Sequence, residues 1–218
     1  MRKIKFVTNE FYHIYNRGVD KRNIFTDQYD LQRFLQSMDE FNTLNPIGSL
    51  YESSFLTPEI KTKRKLKRLV NFIAYCLNPN HYHFILQQAA ENGISQFMHR
   101  QGGGYSWYFN KKYKRTGALF QGTFKARHID SNEYLLRVSA YVNLNSKVHQ
   151  LGGLAAKLSK SSWDEYATDL KSGLCRKNII LDQFDSRKEY QSFALDVLPD
   201  LIERKRREKE FANILIED

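Results

Sequence analysis

The sequence predicts an α+β fold: a ferredoxin-like split βαβ antiparallel sheet with an added helix and a small helical C-terminal tail. Three observations predict it. The elements run β-α-β-β-α-β-α, two apolar runs flank the tight turn Asn78-Pro79-Asn80 as a hairpin would, and a strong helical period follows the first strand. Residues 8–17 alternate as a strand and stop at Gly18. Residues 27–42 space Tyr29, Leu31, Phe34, Leu35, Met38 and Phe41 as one helix face, with Asp27 as its cap. Residues 43–60, with Pro46, Gly48 and Pro58, read as a loop with room for a short extra strand, and six of the eight residues in 61–68 are basic. Residues 69–77 and 81–87 form the hairpin. A helix over 92–112 carries Gly102, Gly103 and Gly104; an interior glycine costs about 1 kcal/mol relative to alanine, so a kink or break is expected there. In the last strand, 118–129, alternation sends Phe120, Phe124 and Ala126 one way and Gln121, Thr123, Lys125 and Arg127 the other. Ser131 then caps a helix over 132–147, and residues 155–218 read as short helices. The helices are expected to cover one sheet face and leave the other to a ligand. The expected organisation is a main domain over 1–150 and a helical extension over 151–218.

Composition narrows the function. The 218 residues can bury one full core with a small appendage. No apolar stretch approaches the roughly 20 residues of a membrane span, so no membrane association is expected. The N-terminal residues lack the apolar core of a secretory signal, and Cys76 and Cys175 show no metal-type spacing, which points to reduced thiols in a cytosolic chain. The charge is +10, from 34 Lys and Arg against 24 Asp and Glu, and 14% of residues are aromatic. Basic charge with aromatic rings suits nucleic acid with unpaired bases, and equally an inert basic surface.

Two constellations could carry chemistry. His81 and His83 are two apart on a strand, so both imidazoles leave one face, as a metal pair or as surface histidines. Tyr141 and Asn145 are four apart on the last helix of the core, hence on one side of it: a nucleophile beside a ligand, or a packed tyrosine and a helix-end asparagine.

The stretches YHIYNRGVDKRNIF, NPNHYHFIL, YFNKKYKRTGALFQGTFKA and YVNLNSKV, in that order, resemble the single-tyrosine HUH transposases, which include the insertion-sequence and REP-associated tyrosine transposases. The likeness covers roughly residues 8–150, and SSWDEYATDL extends it into the tail. It implies the HUH endonuclease fold, with His81 and His83 as the metal pair, Asn145 as third ligand of Mg²⁺ or Mn²⁺, and Tyr141 as catalytic nucleophile. The implied reaction cuts and rejoins single-stranded DNA beside a hairpin, through a 5′-phosphotyrosine and a free 3′-hydroxyl. The family acts either as a single chain or as a homodimer that exchanges the tyrosine helix. Three positions depart from the family pattern: Tyr82 replaces a bulky apolar residue, Ser146 a proline and Thr123 an arginine. Together with the triple glycine, Ser146 and Thr123 motivate the alternative, a DNA- or RNA-binding regulator that keeps the fold without cutting.

Candidate DNA-backbone contacts are Arg17, Lys21, Arg22, Lys111, Lys112, Arg115, Lys125 and Arg127; Tyr105, Trp107 and Tyr108 are candidates for base stacking. The basic runs 61–68 and 203–210 are either grips on a hairpin stem or solvated faces.

Overall fold

The computed structural model describes residues 4–170 and 173–214. Its strands are β1 (Phe11–Arg17), β2 (Val70–Asn78), β3 (His81–Gln88), β4 (Lys125–Ile129) and β5 (Lys160–Ser161). They form one antiparallel sheet in the order β4-β1-β3-β2-β5. The first four give the predicted split βαβ arrangement, and β5 extends the β2 edge. In the chain between them lie α1 (Gln28–Glu40), α2 (Leu50–Ser54), α3 (Pro58–Lys65), α4 (Gly93–Lys112), α5 (Asn132–Asn143), α6 (Asn145–Val148), α7 (Gly153–Lys157), α8 (Trp163–Ala167), α9 (Asn178–Leu181), α10 (Arg187–Asp196) and α11 (Leu198–Ile214). Among the described residues, no helix is long and apolar enough to cross a membrane.

The alternation of β1 and β3 sorts side chains onto two cores. Tyr12, Ile14, Tyr82, Phe84 and Leu86 join Leu31, Phe34 and Met38 of α1 and Ile94, Phe97, Met98 and Tyr105 of α4. The opposite face is not left open. Ile73, Ala74, Cys76 and Ile85 pack there against Leu135, Val138 and Val142 of α5, with Tyr166, Ile180 and Tyr190 from the tail. Helices on both faces account for the nearly unbroken burial of β2. The described residues of the 151–218 extension supply β5 to the sheet and Tyr166, Ile180 and Tyr190 to the second core.

Other expectations need correction. Residues 43–60 hold helices: a capping box of Ser49 and Glu52 starts α2, and Thr57 with Pro58 starts α3, which takes in much of the basic run 61–68. The last strand is shorter than 118–129, because Phe120 makes only an isolated bridge to Gly18 before β4 begins at Lys125. Tyr29 is exposed although its spacing put it on the buried face of α1. α4 runs unbroken through Gly102, Gly103 and Gly104. The helix expected over 132–147 ends at Asn143, and Leu144 (φ −103°, ψ 13°) separates it from α6.

Candidate active site at the imidazole face

Cross-strand register assembles the site in rows. Tyr15 faces His83 and Arg17 faces His81 across β1 and β3, while Cys76 and Asn78 of β2 take the same two histidines from the other side. On the outer strand, Lys125 faces Tyr15 and Arg127 faces His13. Directly opposed residues share a sheet face. His13, His81, His83, Arg17, Lys125 and Arg127 therefore all project toward the α5 layer.

The histidines are bonded in sequence with their neighbours. His13 Nε2 lies 2.9 Å from His83 Nδ1, which leaves Nε2 as the remaining ring nitrogen of His83. His81 Nδ1 lies 2.6 Å from Asn80 Oδ1, and His81 Nε2 is 3.2 Å from Asn145 Oδ1. Asn78 Nδ2 donates to Asn145 Oδ1 at 2.7 Å and lies 3.0 Å from His81 Nε2. The Tyr141 ring meets His83 edge-on at 5.4 Å between centroids and His13 at 6.0 Å. The ring of His149, just after α6, lies against that of His81 with centroids 4.7 Å apart and planes tilted by 58°. Tyr141 and Asn145 thus remain beside the histidine pair despite the helix break between them.

Burial dominates the electrostatics. It lowers the pKa of His13 to about 4, helped by the charge of Arg127, and that of His81 to about 4, with Lys205 and Arg17 adding to the effect and Asn145 opposing it. His83 is pushed well below its ordinary value, first by burial and then by His13 and the other nearby cationic groups. All three rings present neutral lone pairs at pH 7, the form a metal ligand needs. Burial raises the Tyr141 phenol, Asn145 offsets part of that, and Glu208 adds to it. Asn145 Nδ2 is buried with no hydrogen-bond partner among the described residues.

Among the described residues no three His, Cys, Asp or Glu side chains gather in a way that could hold a metal ion. Any ion here depends on the Asn145 carboxamide beside the two imidazoles. Two imidazole nitrogens from β3 and one amide oxygen from α6 are a donor set that would suit a divalent cation when water or phosphate oxygens complete the shell.

The expected DNA contacts divide. Arg17, Lys125 and Arg127 flank the imidazoles, with the Arg17 guanidinium bonded to Gln121. Lys21 and Arg22 follow β1 in an exposed turn, where Arg22 pairs with Asp20 at 3.4 Å. Lys111, Lys112 and Arg115 lie at the end of α4, against the other core. Lys111 covers the exposed Trp107 ring, and Arg115 bonds Asn110. Lys112 is committed to Asp27 and Asp30 at 2.7 and 2.8 Å, and the Tyr108 hydroxyl to Asp30 at 3.1 Å. Tyr105 is a correction: it is buried in the first core, its hydroxyl donates to the Ile24 carbonyl, and it cannot stack on a base.

Sequence reasoning missed His13, Asn78 and His149. The sheet order could have found His13, because it pairs β1 with β3 and the alternation of β1 sets His13 out of phase with the core residues Tyr12 and Ile14.

Residues 55–145 match the family model of IS200-like transposases. That stretch is similar to the IS200-like transposases. The transposase-like stretch contains His81, His83, Tyr141 and Asn145 and leaves β1 and α1 outside it. No curated protein matches the chain. Among solved structures, a REP-associated tyrosine transposase bound to a REP hairpin aligns with a TM-score of 0.51 and 13% identity, over 80% of this chain and 88% of that one. At that identity the likeness is one of fold.

Proposed function

We propose that this protein is a transposase-type enzyme that nicks and joins single-stranded DNA, with Tyr141 as nucleophile. The observation that carries this reading is convergence within one chain. The phenol ring packs on His83 while Asn145 Oδ1 lies 3.2 Å from His81 Nε2. His81, His83 and Asn145 would hold Mg²⁺ or Mn²⁺. Once bound, such an ion withdraws charge from a phosphodiester and favours departure of an alkoxide.

The remaining work falls to the chain's own groups. Arg17, Lys125 and Arg127 draw the DNA backbone onto the imidazole face. The Tyr141 oxygen attacks phosphorus in line. A P–O bond forms to the phenol, the bond to the 3′ oxygen breaks, and that oxygen leaves as a free hydroxyl while the phenol proton passes to solvent. Asn145 Nδ2, otherwise unpartnered, can donate to the phenolate. The product is a 5′-phosphotyrosine that another 3′-hydroxyl reverses, which gives strand transfer without an external energy source. A hairpin-flanked single strand is the proposed substrate, by likeness to the hairpin-bound relative.

Covalent trapping tests the proposal. A labelled hairpin oligonucleotide with a single-stranded flank and Mn²⁺ is expected to give an adduct stable in SDS. Tyr141→Phe and His81→Ala should both abolish it. An adduct that persists in Tyr141→Phe overturns the nucleophile, and hairpin binding without any adduct leaves the regulator reading.

A further inference from the structure

The amide of Asn78 occupies an unusual place. It is fully buried at the end of β2, and the donor directions around it can be assigned from a backbone carbonyl outward. The Lys21 carbonyl can only accept, so Asn80 Nδ2 donates to it at 3.1 Å. Asn80 Oδ1 therefore accepts from His81 Nδ1–H at 2.6 Å. A neutral His81 then carries its lone pair on Nε2, which must accept, and Asn78 Nδ2 supplies one N–H to it at 3.0 Å. The second N–H of the same amide goes to Asn145 Oδ1 at 2.7 Å. Asn78 Oδ1 turns away, toward Cys76 Sγ at 3.6 Å. Two acceptors thus face one another at 3.2 Å with a single partly positive NH₂ group bridging them.

We infer that the Asn78 carboxamide competes with a divalent cation for the lone pair of His81 Nε2, and so sets the affinity of the site. The inference rests on the cation reading of the proposed function. His81 Nε2 has a single lone pair, so coordination there requires the Asn78 hydrogen bond to it to break, whereas Asn145 Oδ1 has two lone pairs and can go on accepting from Asn78 while it coordinates. The Asn78 side chain is hydrogen-bonded to Cys76, His81 and Asn145. Asn78 is a positioning residue that acts through His81.

Mn²⁺ binding to the full chain without DNA, read as loss of the free-ion electron paramagnetic resonance signal, tests it. Asn78→Leu keeps the shape and removes both donors. Its Mn²⁺ dissociation constant is expected to fall about three- to tenfold, as loss of one competing hydrogen bond implies, whereas His81→Ala should lose binding. If the native chain binds no Mn²⁺, the cation reading falls and the inference with it. If the native chain binds and Asn78→Leu binds equally or more weakly, the inference alone is overturned, and Asn78 is a bystander or an oxygen ligand. Should Asn78→Leu fail to fold, the native chain still decides. During a Mg²⁺ titration the Asn78 side-chain amide resonances should move together with the His81 ring nitrogens. Fixed Asn78 resonances beside shifting His81 nitrogens overturn the competition.

Discussion

Three imidazoles, His13 and His83 buried and His81 half-buried, tie the stability of the fold to pH. An unfolded chain takes up protons on histidine near pH 6.5, whereas His13 and His81 do so only near pH 4 and His83 well below its ordinary value. Between those limits the unfolded state binds more protons, so stability falls as pH falls. The loss is about 1.4 kcal/mol per pH unit per group, on the order of 3 kcal/mol for each of His13 and His81 by pH 4, and it levels off below that. Denaturant midpoints at pH 7.5 and pH 5 should therefore differ strongly, and His13→Leu should flatten part of the profile. A profile that is level from pH 7.5 to 5 would contradict the burial of the cluster. At this scale the sequence was half legible. Spacing puts His81 and His83 on one strand face and Tyr141 and Asn145 on one side of a helix, each pair with an ordinary structural alternative, and their roles come from the family resemblance. The expected sheet order, which sets β1 beside β3, was enough to bring His13 to the pair. Asn78 was not legible, because its place beside His81 depends on the register of β2 against β3, which only the folded sheet supplies.

The elements show where local propensity yields to packing. The glycines of α4 were read as a break, yet the helix continues, because its apolar face toward α1 and the sheet outweighs what three glycines lose in helix propensity. Their reasons for being glycine differ. A Cβ on Gly104 would sit 2.8 Å from Cε2 of the Phe41 ring, which covers α4 at that point, while a Cβ on Gly102 or Gly103 would meet nothing within 4 Å. Gly102→Ala and Gly103→Ala should each stabilise the protein by about 0.5–1 kcal/mol through propensity alone. Gly104→Ala gains the same propensity but must displace Phe41, an overpacking that typically costs about 1–3 kcal/mol. Thermal melts of the three variants should split in sign; equal shifts would refute the close approach at Gly104. The helices α2 and α3 were missed for the opposite reason. Their capping signals, Ser49 with Glu52 and Thr57 before Pro58, are plain in the sequence, but neither segment is long enough for hydrophobic periodicity to declare it. The second helix layer was missed because the amphipathic period of α5 says that one face is buried and not which side of the sheet receives it.

At the scale of the whole molecule the tail returns to the site. α11 packs on α5 and α6, the two elements that carry Tyr141 and Asn145. The charge of Lys205 reaches His81 and His83, while Glu208, paired with Lys205 at 2.9 Å, reaches Tyr141. A residue of the basic run 203–210, which sequence reading left between a hairpin grip and a solvated face, thus adds positive charge where a cation would sit. Lys205→Gln should strengthen Mn²⁺ binding by about two- to threefold at low salt, the size expected of one partly exposed charge acting through a high effective dielectric. The gain should shrink when salt is raised toward about 1 M, where the screening length falls to about 3 Å. A gain that survives high salt would mean that Lys205 acts through the packing of α11 rather than through its charge. No change at either salt would mean that the tail does not communicate with the imidazoles at all.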